Sequence, residues 1–134
     1  MLRLERIQHK FFRFASAVLK IKRERFDHNY SNIAKIMNLP SIKTVFQVND
    51  LSFIFKLYHK YIDCDDLLTN YVKTPQHQHN TRHPNIFELP YHLHGSPIYR
   101  PQKLANEFRK ELSFKKQLPK TFTKNAKKLI YKFE

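Results

Sequence analysis

The densest acidic group in the chain is Tyr61-Ile62-Asp63-Cys64-Asp65-Asp66, and an aromatic-x-Asp-Asp turn is one way a polymerase holds catalytic metal ions. That chemistry needs a strand on each side of the turn and a third carboxylate on a neighbouring strand, so that several oxygens converge on one cation. Here the flanking patterns are helical. The expectation is therefore a helix C-terminus followed by a new helical turn at Leu67, with Asp65 or Asp66 as its N-cap. A second candidate is the imidazole set His77, His79, His83, His92 and His94. Their spacing fits no zinc framework, and the one thiol, Cys64, lies upstream. A polar loop that gains positive charge on mild acidification is the expected reading. The sequence has no Ser/His/Asp arrangement, no Gly-rich phosphate loop and no HExxH. No catalytic residue, metal or cofactor is expected, nor a small-molecule substrate.

What remains is positive charge interleaved with aromatic rings. The formal net charge is +14, and it is concentrated at the two ends. Residues 1–26 carry eight Lys/Arg against two acids, residues 101–134 ten against three, and residues 27–100 seven against six. Like charges crowded in this way repel, and a polyanion relieves the repulsion, whereas a single charge run is often only a solvated face. The residues expected to meet phosphate are Arg3, Arg6, Lys10, Arg13, Lys20, Lys22 and Arg23 near the start, with Lys124, Lys127 and Lys128 near the end. Tyr99 and Tyr131 are the candidate rings for base stacking. Basic amphipathic helices also serve membrane surfaces and protein partners, so an interaction module remains the alternative.

These side chains must be positioned by helices. Leu4, Ile7, Phe11, Phe14 and Val18 follow one another in steps of 3, 4, 3 and 4, which predicts a helix over Leu2–Arg25 with that stripe and Ala15 turned inward. Tyr30 to Leu39 reads as a short helix with Ser31 as N-cap, with Ile33, Ile36 and Met37 inward and Pro40 as the stop. Ser41 then caps a long helix to about Ile62, in which Val48, Leu51, Phe55, Tyr58 and Ile62 repeat the same steps. Further apolar residues widen the stripe until this helix is expected to be the most buried element. Leu67, Leu68 and Tyr71 predict one or two more turns.

From 73 to 96 the prolines and the His, Asn and Gln residues predict an irregular loop, with Ile86, Phe87, Leu89, Pro90 and Tyr91 packing back as a strand or anchor and a turn at Gly95. Helices are expected over Gln102–Leu112, limited by Pro101, and over about Thr123–Phe133, separated by Pro119. The fold class is thus all-α, about five helices in a small irregular bundle with a long His/Pro-containing loop. The expected division is 1–112 as a helical domain and 113–134 as a basic helical tail.

The series Leu4-Glu5-Arg6-Ile7-Gln8-His9-Lys10-Phe11-Phe12-Arg13-Phe14 resembles a segment that follows the palm in jockey-like non-LTR retrotransposon reverse transcriptases. Further blocks agree in order: Asp27-His28-Asn29-Tyr30, Leu39-Pro40-Ser41, Asp50 to Leu57, Ile62-Asp63-Cys64, Leu67-Leu68, Asn80-Thr81-Arg82, Phe87, Pro90, Ser96-Pro97-Ile98, Arg100 and Leu104-Ala105-Asn106. The resemblance covers Leu2 to Asn106. It implies thumb and post-thumb helices that grip a template-primer of RNA, DNA or hybrid, alongside the catalytic part of an RNA-directed DNA polymerase. It implies backbone contacts from Arg3, Arg6, Lys10 and Arg13, and adds Arg82 and Arg100 as recurrent basic positions. The palm is absent from these 134 residues, so the expectation is a non-catalytic fragment, or a decayed remnant of such an element without selected function.

Composition bounds the rest. At 134 residues, 41% of them hydrophobic, the chain can build one ordinary core. With one cysteine no internal disulfide can form, and the expected location is intracellular, nuclear or cytoplasmic. Arg3, Glu5, Arg6, Lys10, Arg13 and Lys20 interrupt the N-terminal apolar residues, so no signal peptide or membrane span is expected.

Overall fold

The computed structural model describes residues 2–21, 31–75, 85–91 and 96–133. Among them the periodic segments form six α-helices and no strand: α1 Leu2–Val18, α2 Ser31–Ile36, α3 Ile42–Tyr58, α4 Asp65–Tyr71, α5 Tyr99–Glu107 and α6 Pro119–Ile130. A 3₁₀ turn, Tyr131–Phe133, follows α6. The all-α expectation holds. The chain divides into two compact units, Met1–Phe46 and Gln47–Glu134. The boundary falls at Phe46, and none falls at 112, because Phe122, Ala126 and Ile130 of α6 are buried in the core of the second unit.

The first unit has a small core of Phe12 and Ile33, with Ala34 and Met37 packed against them. Gln8 Nε2 donates to the Pro40 carbonyl at 3.1 Å. This overturns the face predicted for α1. Ile7, Phe14 and Val18 are 62%, 68% and 62% exposed, and Leu4 and Phe11 are exposed too, while Phe12, Ala15 and Ser16 are buried. The helix carries two adjoining apolar stripes, and the six-residue α2 can cover only one of them. Periodicity identifies a stripe without saying which one finds a partner. On α2, Ile33 is buried as expected, but Ile36 faces out. Lys22 to Arg25, expected in the first helix, lie outside the described residues; within them α1 ends at Val18.

Three helices end in the same way. Ile21 N–H donates to Ser16 O at 3.0 Å and Lys20 N–H to Ala17 O at 3.3 Å; Leu39 and Asn38 do likewise to Ala34 and Lys35, and Tyr61 and Lys60 to Lys56 and Leu57. This is the Schellman pattern, which needs its penultimate residue in the left-handed region. Glycine is the usual occupant, but the chain has one glycine, and Lys20, Asn38 and Lys60 stand there with φ of 51°, 51° and 56°. For α3 this C-terminal cap brings the helix to a close at Tyr58, short of the expected Ile62. Its start is as expected: Thr44 N–H donates to Ser41 Oγ at 3.1 Å.

The second unit is built round α3, whose Val48, Leu51, Ile54, Phe55 and Leu57 are buried against Phe87, Leu104, Ala105, Phe122 and Ala126. Phe55 stacks on Phe122 with ring centroids 3.9 Å apart and planes at 12°. Phe114 stands edge-on to both. His59 Nε2–H donates to the Phe114 carbonyl at 2.8 Å, which fixes the turn after α5.

The segment around Phe87 forms an anchor rather than a strand. Asn106 of α5 holds it: Oδ1 accepts from Ile86 N–H at 2.9 Å and Phe87 N–H at 3.0 Å, and Nδ2 donates to Phe87 O at 2.8 Å. One turn earlier, Gln102 Nε2 donates to the Tyr71 carbonyl at 2.7 Å. Side-chain amides supply here the pairing that a strand partner would give.

Two prolines sit where a missing N–H costs nothing. Pro101 lies in the first turn of α5, which starts at Tyr99 and ends at Glu107, and Pro119 is the first residue of α6 instead of its separator. Asp65 and Asp66 occupy the first turn of α4, while Cys64 is its N-cap and makes no side-chain cap bond. The predicted carboxylate cap is thus corrected to a favourable interaction with the helix dipole. The turn at Gly95 lies outside the described residues.

Two stability outcomes follow from these contacts. Asn106→Ala strands the Ile86 and Phe87 amides and should cost roughly 3 kcal/mol or more in denaturant unfolding; a loss below 1 kcal/mol would mean that the anchor holds without the amide. Lys60→Gly removes left-handed strain of roughly 1–2 kcal/mol, offset in part by glycine's entropy, so melting should rise by a few degrees. The exposed Lys60–Asp65 pair at 3.7 Å contributes little to that balance. A lower melting temperature in Lys60→Gly would contradict the strain.

Candidate nucleic-acid interface

Helix α6 divides its sides cleanly. Phe122, Ala126 and Ile130, each four residues apart, are buried. Lys120, Lys124, Lys127, Lys128 and Tyr131, separated by steps of 4, 3, 1 and 3, occupy the opposite side and are exposed. Burial of one side therefore dictates presentation of the other.

The seat of α6 is fixed by two adjacent contacts, the Phe55–Phe122 stack and a hydrogen bond between Ser52 and Thr123 hydroxyls at 3.0 Å. One helical turn beyond Ser52 is Lys56, and one turn beyond Thr123 is Lys127. Both lysines line one open cleft of about 470 Å³ together with Lys120, Lys124, Lys128, Tyr131, Thr123 and Pro119. Five ammonium groups thus border a cleft whose lining contains no acidic residue. Lysines four apart on a helix repel by a few tenths of a kcal/mol per pair, and a bound polyanion reverses the sign of that cost.

Of the residues expected to meet phosphate, Lys124, Lys127 and Lys128 are brought together here, with Tyr131 beside them. Arg3, Arg6, Lys10 and Arg13 are exposed in steps of 3, 4 and 3 along α1, and Lys20 is exposed at its C-terminal cap. They form a second basic row, in the first unit. Lys22, Arg23 and Arg82 lie outside the described residues, as do His77, His79, His83, His92 and His94. Among the described residues no group of three or more His, Cys, Asp or Glu side chains is placed to hold a metal ion. Asp63 lies between α3 with its cap and α4, and Asp65 and Asp66 form the first turn of α4, so helices and no strand flank this acidic group.

Arg100 is placed differently from the other cations. Its Nε and Nη2 donate to the two carboxylate oxygens of Asp50 at 2.6 and 2.9 Å, a bidentate link between α5 and α3. That hydrogen bond raises the guanidinium pKa above its ordinary value, against a smaller opposing effect of burial. A raised pKa contributes stability at every pH below the unfolded value, so the link persists across the working range. Tyr99, the other stacking candidate, is half-buried on α5.

Two lining lysines, Lys56 and Lys120, escaped sequence reasoning. Lys120 continues the spacing of Lys124, Lys127 and Tyr131 and was legible as part of that row. Lys56 carries no local signal, since it sits on the most apolar helix and reaches the cleft only through the packing of α3 on α6. Comparison with known protein families, curated proteins and solved structures finds no match to this chain.

The Asp50 link predicts how Arg100 behaves. Arg100→Ala should lower stability by about 1 kcal/mol or less, because the guanidinium is largely exposed and screened, and should leave polyanion affinity unchanged. A fall in affinity with unchanged stability would return Arg100 to the phosphate-facing set.

Proposed function

We propose that the chain binds the backbone of nucleic acid through its basic helices, without catalysing a reaction on it. The observation that carries this reading is the convergence of Lys56, Lys120, Lys124, Lys127 and Lys128 on one cleft with no acidic lining residue. Fields of one sign at a concave surface concentrate counter-ions, and phosphodiester chains are the polyanions that a row of such cations matches. The exposed row Arg3, Arg6, Lys10 and Arg13 on α1 supplies further contacts. In keeping with the resemblance to the tail of jockey-like reverse transcriptases, the partner would be an RNA–DNA template-primer and the activity that of a thumb, with polymerisation left to a catalytic part elsewhere.

A second reading is favoured by the exposed stripe of Leu4, Ile7, Phe11, Phe14 and Val18 on α1. Beside the basic row it gives α1 the character of an interaction helix for an acidic protein or membrane surface. None of the described helices is long and apolar enough to cross a membrane, so such a contact would be interfacial.

Salt separates the two. With about five phosphate contacts from the cleft lysines alone, raising salt fourfold should weaken binding to a labelled RNA–DNA hybrid by roughly 500-fold in fluorescence anisotropy, and contacts from α1 would steepen the loss. Charge reversal at Lys124, Lys127 and Lys128 should make the log–log salt slope about 2.7 shallower. Binding that hardly responds to salt, and is lost in Phe14→Ser instead, would favour the interaction module.

A further inference from the structure

The cleft on α6 combines two things that duplex recognition does not require together, a row of phosphate-binding cations and an aromatic ring at the end of the row. Lys120, Lys124 and Lys127 lead along α6 to Tyr131, which opens the 3₁₀ turn after the helix. By helical rise the row spans about 16 Å, the length of a few phosphates on an extended strand. Tyr131 is 43% exposed. Phe55, Tyr58, Phe87, Phe114 and Phe122 are committed to ring contacts inside the second unit. Tyr131 has no such ring partner among the described residues and faces the cleft.

We propose that this cleft receives an unpaired nucleotide, its base stacked on Tyr131 and the phosphates on either side held by the α6 lysines, so that on a template-primer the surface prefers the unpaired strand to the duplex portion. The inference rests on the nucleic-acid reading and names its substrate. An open space of about 470 Å³ is on the scale of small-ligand sites, which run from roughly 300 to 1,000 Å³, and so suits one nucleotide. In a duplex the base faces are stacked and unavailable to a side chain; in a single strand they are free.

The chemistry of the lining also sets the specificity. The charged groups are all lysines, flexible point charges that follow a backbone without demanding bidentate geometry. The hydroxyl of Thr123 shares a hydrogen bond with Ser52, which leaves it only part of its capacity to read a base edge. Stacking and charge remain, and neither distinguishes one base strongly from another. The site is therefore sequence-tolerant.

The sequence contains no tryptophan, so Tyr131→Trp places a single indole reporter in the cleft. A short oligothymidylate should quench its fluorescence saturably, while inorganic polyphosphate and a blunt duplex of the same length should bind without quenching. Tyr131→Ala should lose roughly fivefold to a hundredfold in affinity for the single strand, the worth of one stacked base, with duplex and polyphosphate affinity unchanged. Tyr131→Phe should retain binding, which keeps the test valid if the alanine variant unfolds. Oligothymidylate binding without quenching, or full affinity in a folded Tyr131→Ala variant, would overturn the stacking site and leave backbone binding standing. Failure of the wild-type chain to bind any of the nucleic acids would overturn both.

Discussion

The second unit depends on the stack of Phe55 on Phe122. Each ring is fully buried, and such burial contributes on the order of 1.5–3 kcal/mol per side chain before any gain from ring geometry. Its larger effect is positional. Phe55 is flanked by Lys56, and Phe122 by Thr123, so the contact that closes the core also brings Lys56 to the lysine row of α6. Fold and cleft are consequences of one packing event: where the aromatic side of α6 is satisfied, the cationic side has only one direction left to face.

The irregular segment poses the opposite problem, since it must be held without a sheet or a helix. Phe87 supplies the apolar anchor, but burying it takes its own amide and carbonyl out of water. Asn106 meets both, and with Ile86 N–H it uses donor and acceptor together. A carboxylate could accept but not donate, and a leucine could do neither. The neighbouring Gln102 is less complete: its Nε2 is bonded to the Tyr71 carbonyl, while its buried Oε1 has no partner. The two amides one turn apart on α5 thus carry unequal weight in tying the chain between α4 and α5.

Much of this was legible in the sequence because it is local. The six helical segments follow from apolar spacing and from Ser41 and the prolines, and α3 was recognisable as the buried helix from the number of apolar residues round its circumference. The errors are those of partner choice. The stripe of Leu4, Ile7, Phe11, Phe14 and Val18 has perfect helical spacing, yet α2 packs on Phe12. Arg100 reads as a free cation until α5 sets it beside Asp50. Lys56 enters the cleft for the same reason, through a neighbour more than sixty residues away in sequence. The amide clamp of Asn106 had no signal at all, because an asparagine in a helix resembles any other polar residue until its environment is known.

The electrostatics connect stability with the proposed binding. Charges of one sign on α6 are neither neutralised by acidic residues in the cleft nor spread over the helix; they are gathered on the side opposite the core. Spreading them would lower the repulsion within the folded unit, and burial of Phe122, Ala126 and Ile130 does not demand that the other side be cationic, only that it be polar. The repulsion is therefore a property of residue choice and not of the fold. A ligand that binds the folded unit and not the unfolded chain stabilises it in proportion to its differential affinity, and repulsion relieved by that ligand adds to the differential. On the proposed function, a polyanion in the cleft would relieve the repulsion among the α6 lysines, and the free energy that this repulsion costs the folded unit would then add to the binding.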